Sequence, residues 1–211
     1  MSKESVLANT QDMNQSFMNT EKLNDIPVGV SARHVHLSSD HIEALFGPGY
    51  QLQILKELSQ PGQFAAKDTV MLAGPKGVID KVRILGPARR TTQVEVALTD
   101  AHRLGISPPI RDSGDLAGSS PITMIGPHGS IYLHEGVIIA SRHIHMSEEE
   151  ALQLKVRDGD LVLVLSKTER PILFHDVKVR VSHRYRLEFH IDTDEANAAK
   201  LKTDDRVFII K

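Results

Sequence analysis

Two stretches of this chain place a pair of imidazoles one residue apart, directly after an arginine: SARHVHLS at residues 31–38 and ASRHIHMS at residues 140–147. On a β-strand, residues i and i+2 face the same side and lie roughly 6.6–6.8 Å apart along the backbone. His34 with His36, and His143 with His145, can therefore each converge on one metal ion. Zinc suits such a pair because it accepts nitrogen ligands at ~2.0–2.1 Å. The bland alternative is two pairs of exposed strand histidines, copied by a tandem duplication that had no need of them.

Two protein ligands seldom hold a metal, so each half must offer a third. In TQVEVAL (92–98) alternation puts Gln93, Glu95 and Ala97 on one face and Val94, Val96 and Leu98 on the other. In RLEFHI (186–191) Glu188 and His190 share the polar face, while Leu187, Phe189 and Ile191 point inward. Aligning Val94 with Leu187 sets Glu95 against Glu188 and Ala97 against His190. The third ligands, Glu95 and His190, then come from equivalent strands but are displaced by two residues. The candidate triads are His34/His36/Glu95 and His143/His145/His190.

Four arginines lie close to these residues. Arg33 and Arg142 precede the histidine pairs and so face the other side of their strands, where structural ion pairs are expected. Arg89 and Arg90 sit in GPARRTT, a turn just before the Glu95 strand. An arginine there can project over the metal face and grip a tetrahedral anion through its guanidinium fork; a solvated turn is the other reading.

The remaining composition narrows the chemistry. Histidine is abundant, with 11 residues, and cysteine is absent, so metal ligation must rest on His, Asp and Glu. A net charge of -2 and a pI near 6.6 argue against a nucleic-acid or anionic-membrane partner, so any anion must be held by a local site. The first residues lack a basic stretch followed by an apolar run, and no window approaches the ~20 apolar residues of a membrane span. An intracellular, cytoplasmic protein with no membrane or nucleic-acid role is expected, and 40% hydrophobic content suffices for a core.

The elements that must position the histidines are mostly strands: TVMLAG (69–74), KVRILG (81–86), TQVEVAL, LVLVLS (161–166), VKVRVS (177–182), RLEFHI and RVFII (206–210). Helix signals follow each histidine pair, with Asp40 and Glu43 in one case and Ser147 and Glu150 in the other read as capping boxes. Each pair thus ends a strand just before a helix. The repeat continues through EAL at Glu43 and Glu150, KVRI at Lys81 against KVRV at Lys178, and VEVALTDA at Val94 against LEFHIDTDEA at Leu187. A mainly β fold is predicted: two related β-barrel domains, an internal repeat, capped by short α-helices. The halves span 27–120 and 121–211, with strand exchange between the barrels allowed, and join through the Gly/Pro/Ser-rich segment 105–121, which is free to contribute to a site. Residues 1–26 form a polar N-terminal extension, read either as disordered or as a short docking helix with Val6, Met13 and Phe17 on one face.

These residues resemble the PduL-type phosphotransacylases, or phosphate propanoyltransferases, of bacterial microcompartments. The likeness runs through VGVSARHVHLS (28–38), QPGQFAAKDTVMLAGPKG (60–77), VRILGPARRTTQVEVALTDAHRLG (82–105), RDSGDL (111–116), GVIIASRHIHMS (136–147) and RLEFHIDTDEANAA (186–199). The resemblance implies reversible transfer of a short acyl group, propanoyl or acetyl, between coenzyme A and inorganic phosphate. It implies two zinc ions: one on His34, His36 and Glu95 with its fourth position open to the coenzyme A sulfur, the other on His143, His145 and His190 with solvent or phosphate. It implies Arg89 as the catalytic residue that contacts phosphate, and Ser31 beside the substrate. It further implies that residues 1–26 target a microcompartment through shell or core proteins; a homo-oligomer is left open. Two other readings remain at this stage, a zinc-dependent hydrolase of a thioester or related substrate and a non-catalytic metal-binding interaction module.

Overall fold

The computed structural model describes residues 25–210; the expected N-terminal extension lies outside the described residues up to position 24. In chain order the strands are β1 (Ile26–Ser31), β2 (His34–His36), β3 (Ile54–Glu57), β4 (Phe64–Ala73), β5 (Val78–Gly86), β6 (Gln93–Glu95), β7 (Ile110–Arg111), β8 (Ser120–Ile125), β9 (Ser130–Ala140), β10 (His143–Met146), β11 (Leu161–Ser166), β12 (Leu173–Val181), β13 (Glu188–Asp192) and β14 (Arg206–Ile210). Among the described residues four short helices cap them: α1 (Ser39–Phe46), α2 (Leu98–Leu104), α3 (Glu148–Leu154) and α4 (Thr193–Ala198). The expected mainly β fold is the one observed.

The strands close into two six-stranded barrels. One runs β1-β13-β10-β12-β11-β14. The other runs β4-β5-β2-β6-β9-β8 and back to β4, with β3 added to β4 and β7 to β9. The pairing pattern is the same in both, with parallel and antiparallel neighbours in matching places. In this correspondence β9 plays in one barrel the part that β1 plays in the other. Each histidine strand is therefore entered from a strand of the opposite barrel: β1 leads into β2, and β9 into β10, through two residues.

Period-2 burial explains why these sequences form closed sheets. Val35, Leu37, Ile84, Val94 and Val137 fill one barrel, and Ile26, Val28, Ile144, Met146 and Phe189 fill the other, all fully buried. Ile26 and Val28 thus belong to the core opposite to the one that β2 serves, which fixes β1 across the junction. Ser147 and Glu150 make the predicted capping box on α3. For α1 the cap lies earlier than the Asp40–Glu43 reading: Ser38 accepts from the His41 amide, and Asp40 falls inside the first turn. The strand predicted over 92–98 also stops early, at Glu95. Leu98 begins α2 and is 54% exposed instead of facing the core, because Ala97 turns the chain out of the sheet.

Ala97 gives α2 no side-chain cap, and the opposite half supplies one. Asp194, on α4, accepts from the Thr99 amide at 2.8 Å and from the Thr99 hydroxyl at 2.9 Å. Removing an N-terminal capping group costs roughly 1 kcal/mol. Asp194→Ala is expected to lower unfolding stability by about that amount in a urea titration, with Asp194→Asn keeping most of it.

Candidate metal centre

The register of two strand pairs builds both clusters. On β2 and β6, His34 lies opposite Glu95, Val35 opposite Val94 and His36 opposite Gln93. On β10 and β13, His143 lies opposite His190, Ile144 opposite Phe189 and His145 opposite Glu188. Glu95 and His190 are thus direct equivalents, and so are Gln93 and Glu188. This corrects the alignment of Val94 with Leu187: there is no two-residue displacement, and a constant step of 95 residues carries β6 onto β13. The same step carries Arg83 onto Lys178, so the KVRI and KVRV likeness is out of register by two residues. Strands β1 and β2 map onto β9 and β10 by a step of 109. The difference of 14 residues lies between α1 and β5, where the first half carries β3 and the turn at Ser59 and Gln60.

Every residue of the two predicted triads is brought together. Ligand atoms of His34, His36 and Glu95 lie within 4.8 Å of one another, and so do those of His143, His145 and His190. Both clusters open on one pocket, lined also by Ser31, Ala32, Ala140, Ser141 and Asp192, at the junction where the barrels exchange strands. The imidazoles are oriented alike: Nδ1–H of His34 donates to the Ala32 carbonyl and that of His143 to the Ser141 carbonyl, both at 2.8 Å, which leaves each Nε2 for the pocket. The donor set fits a metal. His36 Nδ1 and both nitrogens of His145 are buried without a hydrogen-bond partner, and such atoms are costly unless something coordinates them.

The neighbouring residues differ in a complementary way. Gln93 Nε2 donates to Glu95 Oε1 at 2.5 Å, and Ser113 Oγ, from the joining segment, lies within 3.3 Å of the same carboxylate. In the other half Glu188 Oε2 lies 3.1 Å from His190 Nε2 and accepts from Ser59 Oγ at 2.5 Å and Gln60 Nε2 at 3.0 Å. The carboxylate of the first triad thus has an amide beside it, and the third imidazole of the second triad has a carboxylate. The Ser59–Gln60 turn belongs to the extra 14 residues of the first half and braces the second. Gly29, in register with His190, leaves room for this: a Cβ there would meet Glu188 Cδ at 2.8 Å.

Two of the four arginines make the expected structural ion pairs. Arg33 pairs with Asp100 at 2.9 Å and Arg142 with Glu195 at 2.7 Å, equivalent ion pairs on the face away from the pocket. Arg89 is half-buried; its amide donates to the Leu37 carbonyl at the end of β2, and its Nη1 donates to Ser113 Oγ at 3.3 Å. Arg90 is exposed. Three contributors escaped sequence reasoning: Ser113, the Ser59–Gln60 turn and Tyr185, whose ring stacks on His145 at 4.0 Å between centroids. None has a local signature, since each reaches the site from a loop. Glu188 was visible as sharing a polar face with His190.

A family model described as phosphate propanoyltransferase matches residues 27–202. The chain belongs to the phosphate propanoyltransferase family. It is 56% identical over 187 residues to the phosphate propanoyltransferase of Thermotoga maritima, covering 88% of this chain and 89% of the relative. It is 55% identical over 186 residues to that of Lachnoclostridium phytofermentans, covering 88% and 87%, and 51% identical over 206 residues to that of Priestia megaterium, covering 97% and 95%. The family is one of acyltransferases, and among the described residues no helix is long and apolar enough to cross a membrane.

Burial opposes charge throughout this family member's two clusters, and the outcomes differ. Burial alone would raise the Glu95 carboxyl, but the charge and hydrogen bond of His34 overcome it and hold Glu95 far below the usual carboxylate range. His34 is correspondingly raised: burial lowers it, and Glu95 more than compensates. Burial, together with the neighbouring imidazoles, lowers His143 to about 4 and His145 to about 2. Below its raised pKa, His34 must give up a proton to a metal entering the first cluster, whereas His143 and His145, held well below the usual imidazole range, have none to give up there. In calorimetric titrations of zinc, His143→Ala protein, which keeps the first triad, is therefore expected to release a proton below the raised pKa of His34. Its affinity should climb as pH rises through that value. The His34→Ala protein, which keeps the second triad, should release less at the same pH.

Proposed function

We propose that the chain reversibly transfers a short-chain acyl group, propanoyl or acetyl, between coenzyme A and inorganic phosphate at a two-zinc site. The observation that carries this reading is the meeting of two metal-ready triads on one pocket, in a chain of the phosphate propanoyltransferase family. His34, His36 and Glu95 would hold one zinc and His143, His145 and His190 the other. When bound, the ions supply Lewis acidity, polarising the thioester carbonyl and stabilising the thiolate that leaves.

The chain's own residues supply position and charge. Arg89 offers a forked, permanently charged donor to phosphate at the edge of the first triad, and Ser113 steadies that guanidinium. Ser31, on the strand that crosses between barrels, lines the pocket beside His34 and contributes a hydroxyl to substrate. Holding phosphate near the thioester turns a two-body encounter into a near-attack arrangement, so phosphate is the nucleophile and no covalent acyl-enzyme is needed. A carboxylate, Glu95, in the first triad against an imidazole, His190, in the second makes the first site less positive than the second, which suits thiolate at the first and phosphate at the second. We assign the protein to the cytoplasm, within a microcompartment, with residues 1–26 as the segment that meets shell or core proteins.

The purified protein is expected to release thiol from propanoyl-CoA only when phosphate is present, and hydroxylamine should trap the acyl phosphate as hydroxamate. Release of free carboxylate without phosphate would indicate a hydrolase, and bound metal with no thiol release a binding module. His34→Ala and His143→Ala should each lose metal and lower the rate by at least roughly 100-fold, the scale of an electrostatic catalytic group. Arg89→Ala should keep both metals and lose turnover; normal activity at limiting phosphate would remove Arg89 from the mechanism.

A further inference from the structure

Arg180 is a half-buried guanidinium on β12 for which the ion pairs and hydrogen bonds of the described residues provide no partner. It lies in register with His145 on the neighbouring strand β10, and so stands beside the second triad. Its guanidinium carbon is 6.0 Å from the centroid of Tyr185, the ring that stacks on His145. It also lines an open cleft of about 560 Å³ with Ser113, Lys178 and Tyr185. Ser113 is the residue whose hydroxyl meets Arg89, so it stands between the cleft of Arg180 and the guanidinium of Arg89, one arginine from each half of the chain.

The carboxylates of that cleft are already engaged. Asp112 pairs with Lys178, Asp115 with Arg111 at 3.0 Å, and Asp158 accepts from the Val181 amide at 2.8 Å. Arg180 is left with its charge uncompensated, and it faces a second arginine and buried imidazoles. Its positive field contributes, after burial and nearer groups, to the lowered pKa of Arg89, His143 and His145. A semi-buried cation amid like charges opposes folding unless an anion completes the site. The repeat sharpens the point: the same 95-residue step places Leu85 at the corresponding position of the first half, so the charge belongs to the second cluster alone.

We propose that Arg180 is a second anion-binding residue of the transfer site, holding the reacting phosphate, or the phosphoryl group of the acyl phosphate, together with Arg89. This rests on the phosphate-dependent acyl transfer proposed above. A dianionic tetrahedral group has oxygens enough to accept from two guanidinium forks, and two such donors fix its orientation better than one. Phosphoryl groups also occur in coenzyme A itself, and the nearness of Arg180 to the second triad assigns it to the reacting phosphate.

The test measures Michaelis constants for phosphate and for propanoyl-CoA separately, in wild type, Arg180→Ala and Arg180→Lys, with zinc content and circular dichroism checked for each. The KM for phosphate is expected to rise roughly tenfold or more in Arg180→Ala, the effect of losing one charge-assisted contact, and to recover in part in Arg180→Lys. The KM for propanoyl-CoA should stay within about twofold. A binding readout runs alongside: inorganic phosphate should raise the melting temperature of wild type and do so much less for Arg180→Ala, while without phosphate the variant should be no less stable than wild type. An unchanged KM for phosphate overturns the proposal. So does a loss confined to propanoyl-CoA and absent with S-propanoyl-pantetheine, which lacks the nucleotide phosphates and would assign Arg180 to coenzyme A. If wild type itself shows no phosphate-dependent thiol release, the transfer reading fails; if wild type is active and the variant behaves like it, only the role of Arg180 fails.

Discussion

The register of two antiparallel strand pairs, β2 on β6 and β10 on β13, is the constraint on which the rest of the molecule depends. A slip of one residue would turn every side chain to the opposite face, sending the histidines into the cores and Val35 or Ile144 into the pocket. The fully buried Val35 with Val94, and Ile144 with Phe189, make such a slip costly, because each barrel would lose apolar contacts and bury imidazole without partners. The Arg33–Asp100 and Arg142–Glu195 pairs pin the same register from outside, one residue before each histidine pair. Packing, not the sequence of the site itself, holds the two triads in place.

Strand exchange then joins two such sites into one. Because β1 completes the barrel of β10 and β9 completes the barrel of β2, each histidine strand begins at the junction, and both triads open on the same pocket. Duplication alone would make two equal sites. The halves instead differ at Glu95 and His190, at Gln93 and Glu188, and at Leu85 and Arg180. These substitutions redistribute charge without disturbing the backbone: the first cluster carries its negative charge within the triad, on Glu95, and the second carries it one contact away, on Glu188. The turn with Ser59 and Gln60, present only in the first half, holds Glu188 in place and links the chemistry of one barrel to the loops of the other.

Much of this was legible in the residues. Alternation at His34, His36 and Glu95 and at His143, His145 and His190 selects one face of each strand, and period-2 patterning needs no tertiary knowledge. The ion-paired role of Arg33 and Arg142 follows from the same alternation. What escaped depended on register between strands distant in sequence. Matching KVRI with KVRV and Val94 with Leu187 follows apolar likeness, and apolar residues recur every second position in any strand, so a shift of two is invisible to it. That error made Arg180 look like the counterpart of Arg83, whose guanidinium is spent on the Ala66 and Lys67 carbonyls. Leu98 departs from the alternation because Ala97 ends the strand with no proline or glycine to mark the turn. Ser59, Gln60, Ser113 and Tyr185 reach the site from loops and carry no local pattern.

The central claim is that one pocket holds two metal ions on two equivalent but differently charged triads. Anomalous X-ray scattering from crystals of the zinc-loaded protein, recorded on both sides of the zinc absorption edge, tests it most directly. Two peaks per chain are expected, one bounded by His34, His36 and Glu95 and one by His143, His145 and His190. A single peak, or peaks away from either triad, would contradict the claim.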